Sequence, residues 1–381
     1  MTNNILHIAN GYWASSLYRD LFLSLGKSVK QTVFVPIRSN DQQKLFPINH
    51  KNIRLIHSPV VTSAIYRILF HKKIQKTTDL ISKNIKVGDF DILHAHTLFS
   101  DGAAALFFYK TLKIPYIVTV RNTDINVFFK YLIHLRKTGI EILKNAEKIV
   151  FLSIPYKERL LNEYVPEDYK KTFEDKSVVI PNGINKFWLE NINNNPISTD
   201  INTNNIRALY AGEIRRNKNI DGTIKALQIL NNKGYNFHFD IVGMGLHDQK
   251  SYLRTIIKTA NKTNFITLHP VANQAGLLNF YRNSHLFIMP SFTESFGLVY
   301  LEALSQGVPV IYSINEGFDK SFENGVIGSS SDPHNPDSIA TAIEKVLNDY
   351  RQIQRNCIES VNRFDWEIIA EDYLRIYNEI N

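Results

Sequence analysis

The chain has 381 residues, 44% of them hydrophobic and 21% charged, with a net charge of +8 and one cysteine, Cys357. That length exceeds a single core and favours two domains. The lone thiol excludes an internal disulfide framework and suits a reducing compartment. The start, MTNNILHIANGYW, has no basic segment followed by an apolar one, and no apolar run approaches a bilayer span, so neither a signal peptide nor a transmembrane segment is expected.

In chain order, NILHIA (4–9) predicts a strand, Asn10-Gly11 a turn and SSLYRDLFLSLG (15–26) a helix. QTVFVPI (31–37) predicts a strand, residues 64–86 a helix, DILHAHT (91–97) a buried strand, 100–112 a helix and PYIVTV (115–120) a strand. A long basic helical region then ends near Lys148, and IVFLS (149–153) and SVVIPNGI (177–184) are strands. Residues 186–205, KFWLENINNNPISTDINTNN, are Asn-rich and weakly patterned, and they predict a linker between domains.

The alternation restarts with IRALYAG (206–212), a helix over 219–233, FHFDIVG (237–243), a helix over 248–260, FITLH (265–269), a helix over 273–283 and HLFIMP (285–290). The last segment, FDWEIIAEDYLRIYNEI, is an amphipathic helix. Strands alternating with helices argue for parallel doubly wound α/β sheets. The predicted domains are 1–185 and 206–364, with a C-terminal helix over 365–381.

Charge is uneven. Residues 1–180 hold 26 Lys and Arg against 15 Asp and Glu, a net of +11, whereas the rest hold 18 against 21, a net of −3. Basic clusters lie at HKKIQK (71–76) and KYLIHLRKTGIEILKNAEK (130–148). A basic first half fits an anionic membrane surface or an anionic acceptor. No nucleic-acid module is present, so no nucleic-acid partner is expected.

The most informative stretch is PSFTESFGLVYLEALSQGVPVI (290–311). An apolar strand precedes Gly297, a helical run follows it, Gly307 stops the helix, and VPVIY (308–312) is the next strand. Glu294 therefore sits in a strand-to-helix loop, and Glu302 on the second turn of the helix. The free N–H groups at that helix start point where an anion would sit. In YAGEIRRNKN (210–219), Arg215, Arg216 and Lys218 occupy the turn after another strand, where a diphosphate would meet cations and a helix start. IVGMG (241–245) ends a further strand with Gly243 and Gly245. His94 and His96 share a strand face. Asp89-Phe90-Asp91 reads as a turn with chance spacing.

The pattern ExxGxxxxEAxxxGxPVI resembles the donor-site signature of retaining glycosyltransferases of family four, which have the GT-B fold. The resemblance implies two facing Rossmann-like domains with a cleft between them, and a C-terminal helix crossing back to the first. It implies a catalytic group of Glu294, Lys218 and Arg215. Donor binding would fall to Glu302, Gly297, Phe296, Leu298, Gly243, Arg216 and Gly11. Glu294 would hold donor-sugar hydroxyls and Glu302 the ribose hydroxyls. Where the family often has His-Gly, this chain has Arg121-Asn122, so Arg121, Asp124 and His96 are carried as acceptor- or sugar-side residues.

The expected activity is transfer from a nucleoside-diphosphate sugar, with UDP the usual choice, to an acceptor hydroxyl. The acceptor would be a lipid-linked or cell-surface glycan precursor of bacterial polysaccharide biosynthesis. No cofactor and no metal are expected. The expected location is cytoplasmic, peripheral on the inner face of the membrane. Two other readings are a GT-B-fold sugar-nucleotide epimerase and a non-catalytic partner subunit of a glycosyltransferase.

Overall fold

The computed structural model describes residues 4–37, 39–59, 69–194, 201–245 and 247–380. The chain forms two compact units, one of residues 1–183 with 366–381 and the other of 184–365.

The first unit is built on seven strands: β1 (Asn4–Ile8), β2 (Lys30–Val35), β3 (Ile53–His57), β4 (Ile92–Ala95), β5 (Tyr116–Val120), β6 (Lys148–Phe151) and β7 (Ser177–Val179). Their order is β3-β2-β1-β4-β5-β6-β7, and every pair is parallel. The central strands are apolar on both faces because helices cover both: Ile5, Leu6, Leu93, Ile117 and Val118 are all fully buried. The segment after β5, expected as one long helix, is broken into a π-helical turn Asp124–Phe129, a 3-10 turn Ile133–Leu135 and a helix Arg136–Asn145. The break follows from packing. Phe129 and Leu135 must both reach the core, and the Arg136 Nε donates to the freed Phe129 carbonyl at 2.7 Å. The helix Trp366–Ile380 belongs to this unit and buries Ile369, Tyr373 and Tyr377 in a cluster with Tyr18, Leu21 and Phe22. The expected helix over 64–86 is seen as Phe70–Asn84, its first residues lying outside the described ones.

The second unit has six strands: β8 (Ile206–Ala211), β9 (Phe237–Val242), β10 (Ile266–His269), β11 (Leu286–Ile288), β12 (Val310–Ser313) and β13 (Gly328–Ser331), ordered β10-β9-β8-β11-β12-β13 and again all parallel. Both units are thus Rossmann-like. The order reverses between β8 and β11, and the crevice at the carboxyl ends of such a pair is where open α/β sheets bind ligands.

The linker reading of 186–205 needs correcting at its start. Lys186–Glu190 is a short helix capped by the Asn185 side chain, which accepts from the Phe187 N–H at 3.0 Å. Its Trp188 is buried edge-on against Tyr281, their ring centroids 5.5 Å apart. Asparagine density hid one apolar anchor. Residues 195–200 lie outside the described residues.

Candidate functional site

Two loops meet at the β8/β11 switch point of the second unit. One follows β8 and runs through the 3-10 turn Arg216–Lys218 to Asn219; the other follows β11 and ends at Gly297. Hydrogen bonds stitch them together. Asn217 Nδ2 donates to the Thr293 carbonyl at 2.8 Å, Thr293 Oγ1 donates to Asn217 Oδ1 at 2.7 Å, and the Phe292 N–H donates to the Asn217 carbonyl at 2.9 Å. Asn219 adopts φ +54°, and its buried amide donates to the carbonyls of Pro290 and Pro333. Left-handed backbone suits Asn better than most residues.

The stitching brings Lys218 Nζ to 2.6 Å from Glu294 Oε2, with both side chains largely buried. Glu294 is held from three further directions. Its Oε1 accepts the Ser295 N–H at 3.1 Å, its own N–H donates to Glu316 Oε2 at 2.9 Å, and its carbonyl accepts from the Gly317 N–H at 2.9 Å. Gly317 must be glycine, since a Cβ there would stand 2.2 Å from the Ser295 carbonyl oxygen. Glu316 escaped the sequence reading, because nothing marks a single Glu after a strand as aimed at another loop's backbone.

Gly297 is the N-cap of the helix Leu298–Ser305, at φ +84°, and the Tyr300 ring lies where its Cβ would be. Leu298 opens that helix and is part-exposed. Glu302 lies on the second turn, where the Tyr281 hydroxyl donates to its Oε2 at 3.2 Å. Burial raises the Glu302 carboxyl to about 7, and the Tyr281 hydrogen bond acts the other way without cancelling it. Gly243 has a steric reason to be glycine: a Cβ would lie 1.9 Å from the Gly212 carbonyl oxygen, where the ends of β8 and β9 converge.

The remaining predicted residues of this loop separate. Arg215 pairs with Glu213 at 3.2 Å on an exposed edge, and Arg216 stacks over the Tyr252 ring at 5.6 Å. Phe296, expected to touch the donor, turns its ring into the core between Phe318 and Phe364 and is 1% exposed. Its apolar side chain is worth more buried than at a polar site. A separate cavity lined by Arg207, Phe237 and His238 sits at the amino ends of β8 and β9, the wrong ends for the switch point.

In the first unit, two of the three residues expected on the acceptor side turn inward. The Asp124 carboxylate is buried and accepts backbone N–H groups of Leu98, Phe99 and Arg121 at 3.0, 3.2 and 2.8 Å. Burial lifts its pKa to about 6, with those three hydrogen bonds opposing. His96 is also fully buried, its Nε2 3.0 Å from His7 Nδ1. His94 stacks on it at 4.1 Å and meets Tyr377 Oη at 2.7 Å and Thr119 Oγ1 at 3.0 Å. His7, His94 and His96 lie close enough together to hold a metal ion. Both nitrogens of His94 are nonetheless already engaged, and His96 Nδ1 has no hydrogen-bond partner of the kind that orients a metal-ligating imidazole. The trio is better described as a buried polar joint between β1, β4 and the C-terminal helix. Burial drives all three imidazoles to low pKa, His7 to about 3.

Arg121 is the member that stays reachable. Its Nε donates to the His96 carbonyl at 3.1 Å, one Nη reaches Asn182 Oδ1 at 3.5 Å, and the guanidinium lies 5.0 Å above the Tyr18 ring. Gly11, after β1, is part-exposed, and a Cβ there would press on the Tyr18 hydroxyl at 2.9 Å. Asp89 and Asp91 are spent locally: Asp89 pairs with Lys86, and Asp91 accepts the Asn4 N–H at 2.7 Å. No helix among the described residues is long and apolar enough to cross a membrane.

Two family models match the chain. The family described as Glycosyl transferases group 1 matches residues 191–363, and Glycosyltransferase Family 4 matches residues 26–186. An uncharacterized glycosyltransferase of Methanocaldococcus jannaschii is 26% identical over 306 residues, covering 76% of each chain. The capsular polysaccharide biosynthesis glycosyltransferase CapM of Staphylococcus aureus is 27% identical over 278 residues, 69% of this chain and 70% of that protein. Among solved structures, the sucrose-phosphate synthase of Thermosynechococcus elongatus has a TM-score of 0.75 at 18% identity, covering 99% of both chains. HepE of Anabaena, in complex with UDP and glucose, has a TM-score of 0.68 at 15% identity and 99% coverage of both. At those identities the likeness speaks for the fold.

Proposed function

The chain belongs to glycosyltransferase family 4, and we propose that it moves a sugar, with retention of anomeric configuration, from a UDP-sugar to a hydroxyl of a lipid-linked or cell-surface glycan precursor. The carrying observation is the clasp of Lys218 and Glu294 beside the helix start at Gly297, with Glu302 one turn further on. A sugar nucleotide needs a cationic place for its diphosphate, acceptors for sugar hydroxyls and acceptors for ribose hydroxyls. Lys218 and the free N–H groups at Leu298 offer the first, Glu294 the second and Glu302 the third. Arg215 and Arg216 border the same turn and add positive potential. The UDP bound to HepE and the capsular pathway named for CapM favour this donor and this kind of acceptor.

In this reading the bond between the anomeric carbon and the diphosphate oxygen breaks as Lys218 takes up the developing charge. The acceptor hydroxyl attacks from the same face, and its proton passes to the leaving phosphate. Neither glutamate acts as a general base. No metal is required, because side-chain and backbone cations neutralise the diphosphate. The protein works on the inner face of the cytoplasmic membrane, where lipid-linked acceptors are met.

The test is a thermal-shift screen over nucleoside diphosphates and their sugars, followed by transfer assays with and without EDTA. A UDP-specific shift and EDTA-resistant transfer are expected. No shift with any nucleotide would sink the donor assignment, and conversion of a labelled UDP-sugar without acceptor would favour an epimerase instead.

A further inference from the structure

The first unit carries a surface that the transfer reaction does not use. Directly after Arg121 and Asp124, the broken helical segment turns Val127, Tyr131 and Ile133 outward; Tyr131 is 67% exposed and Ile133 65%. Large apolar side chains exposed together on a soluble domain mark a contact surface more often than chance. Around them stand Lys130, whose ammonium lies 5.5 Å over the Tyr131 ring, and the exposed Lys137. Residues 125–140 contain no Asp or Glu.

The fold then brings the second basic cluster beside the first. Phe70 opens the helix Phe70–Asn84 and packs against Phe128 at 6.2 Å between ring centroids, and Phe128 stacks on Phe99 at 4.5 Å. That joint places exposed Leu69, His71 and Lys72 next to the 127–137 ridge. Two clusters more than fifty residues apart in sequence thereby form one face, apolar at its crest and cationic at its margins.

We propose that this face docks on an anionic lipid bilayer, with Val127, Tyr131 and Ile133 entering the headgroup region and Lys72, Lys130 and Lys137 meeting acidic headgroups. The charge decides the occupant. A ridge with lysines and no carboxylate over 125–140, where the next one, Glu141, is paired with Lys110, complements an acidic surface, whereas a second copy of the same face would set lysine against lysine. Tyrosine suits the interface because its ring is apolar and its hydroxyl wet. Docking rests on the proposed lipid-linked acceptor and gives it a route: the ridge begins just past the carboxyl end of β5, the end at which open α/β sheets take their ligands.

The experiment is co-sedimentation of the full chain with vesicles of phosphatidylcholine alone or with 30% phosphatidylglycerol, at about 50 and 500 mM NaCl. Binding to the anionic vesicles at low salt, and release at high salt, are expected. Each lysine near an anionic surface is worth about fivefold in partitioning. Lys130→Gln/Lys137→Gln therefore loses at least tenfold, and Tyr131→Ser/Ile133→Ser loses binding to a similar extent. Both pairs are exposed, so the UDP-induced thermal shift serves as the control for folding and stays at its wild-type value. Absence of binding at low salt, or unchanged binding by both double variants, overturns the proposal. So does a wild-type dimer that Tyr131→Ser/Ile133→Ser converts to monomer. Vesicle binding without a UDP shift would instead retain the docking face and overturn the donor reading.

Discussion

Lys218 Nζ and Glu294 Oε2 stand 2.6 Å apart, joining the loop after β8 to the loop after β11 across 76 residues of sequence. Each is the other's counter-ion, so in the proposed reading a diphosphate entering the turn would take over part of the role that Glu294 plays for Lys218. Glu294→Ala or Lys218→Ala should each lower kcat/KM by about a hundredfold or more, corresponding to one charge-assisted hydrogen bond of about 2–3 kcal/mol. The double variant should lose less than the product of the two, because the groups act as a unit. Steady-state kinetics on the three variants measures this, and strict multiplicativity would argue that the pair is only architectural.

Glu302 gives a prediction with a sign. Its carboxyl is raised to about 7 from 4.5 by burial. Between those values the folded state holds a proton that the unfolded state has released, so stability falls as pH rises through that window and stays lower above it. The cost above pH 7 is at most about 3 kcal/mol, since each pKa unit is worth about 1.36 kcal/mol. Glu302→Gln should therefore raise Tm at pH 8 and change it little at pH 4.5. If Glu302 holds the ribose hydroxyls of UDP as proposed, and does so as a carboxylate, UDP affinity of the unmodified protein should strengthen from pH 6 to pH 8, and the variant should bind weakly at both. Calorimetry at the two pH values reads affinity, and thermal unfolding reads stability.

How much of this was legible before folding differs by residue. Glu294, Gly297 and Glu302 were readable because a strand, a glycine and a helical run fix their places from local pattern alone. Lys218 was readable for the same reason, but its ion pair was not, since two loops distant in sequence meet only through β8 lying beside β11. Strand β3 was missed because RLI between polar residues shows little apolar run, and it lies at a sheet edge with its residues half exposed. Strand β13, Gly328–Ser331, was missed because GSSS has turn composition; burial against Val310 makes it a strand, and a Cβ on Gly328 would stand 1.9 Å from the Val310 carbonyl oxygen. Asp124 and His96 were readable as polar residues following β5 and β4, but their burial was not. Polarity alone does not say whether a side chain faces a ligand or caps its own backbone.

Gly243 tests the convergence of β8 and β9. An alanine Cβ would meet the Gly212 carbonyl oxygen at 1.9 Å, with φ at +155°. The backbone of one strand end must shift, and the IVGMG turn moves with it. Gly243→Ala should destabilise the protein by about 2–4 kcal/mol, read as a fall in the denaturant midpoint. Nucleotide binding should weaken in the fraction that remains folded. Gly234→Ala, where no atom lies within 4 Å of the new Cβ but φ is +102°, isolates the purely conformational cost and should be milder.

Arg121 is the predicted acceptor-side residue that stays part-exposed. Its guanidinium is anchored along one edge, Nε to the His96 carbonyl at 3.1 Å, and rests over Tyr18 at 5.0 Å. The remaining N–H donors are thereby held in a plane next to Asn182, a geometry that a lysine ammonium does not reproduce. Two outcomes separate a substrate contact from a structural role. If Arg121 holds a sugar hydroxyl or a phosphate, Arg121→Lys and Arg121→Ala should both lower kcat/KM by about ten- to a hundredfold while Tm moves by no more than a few degrees. If it only braces β4 against β5, Tm should fall together with activity, and Arg121→Lys should recover part of both. Kinetics with the donor identified by thermal shift, paired with unfolding curves for the same preparations, distinguishes the two.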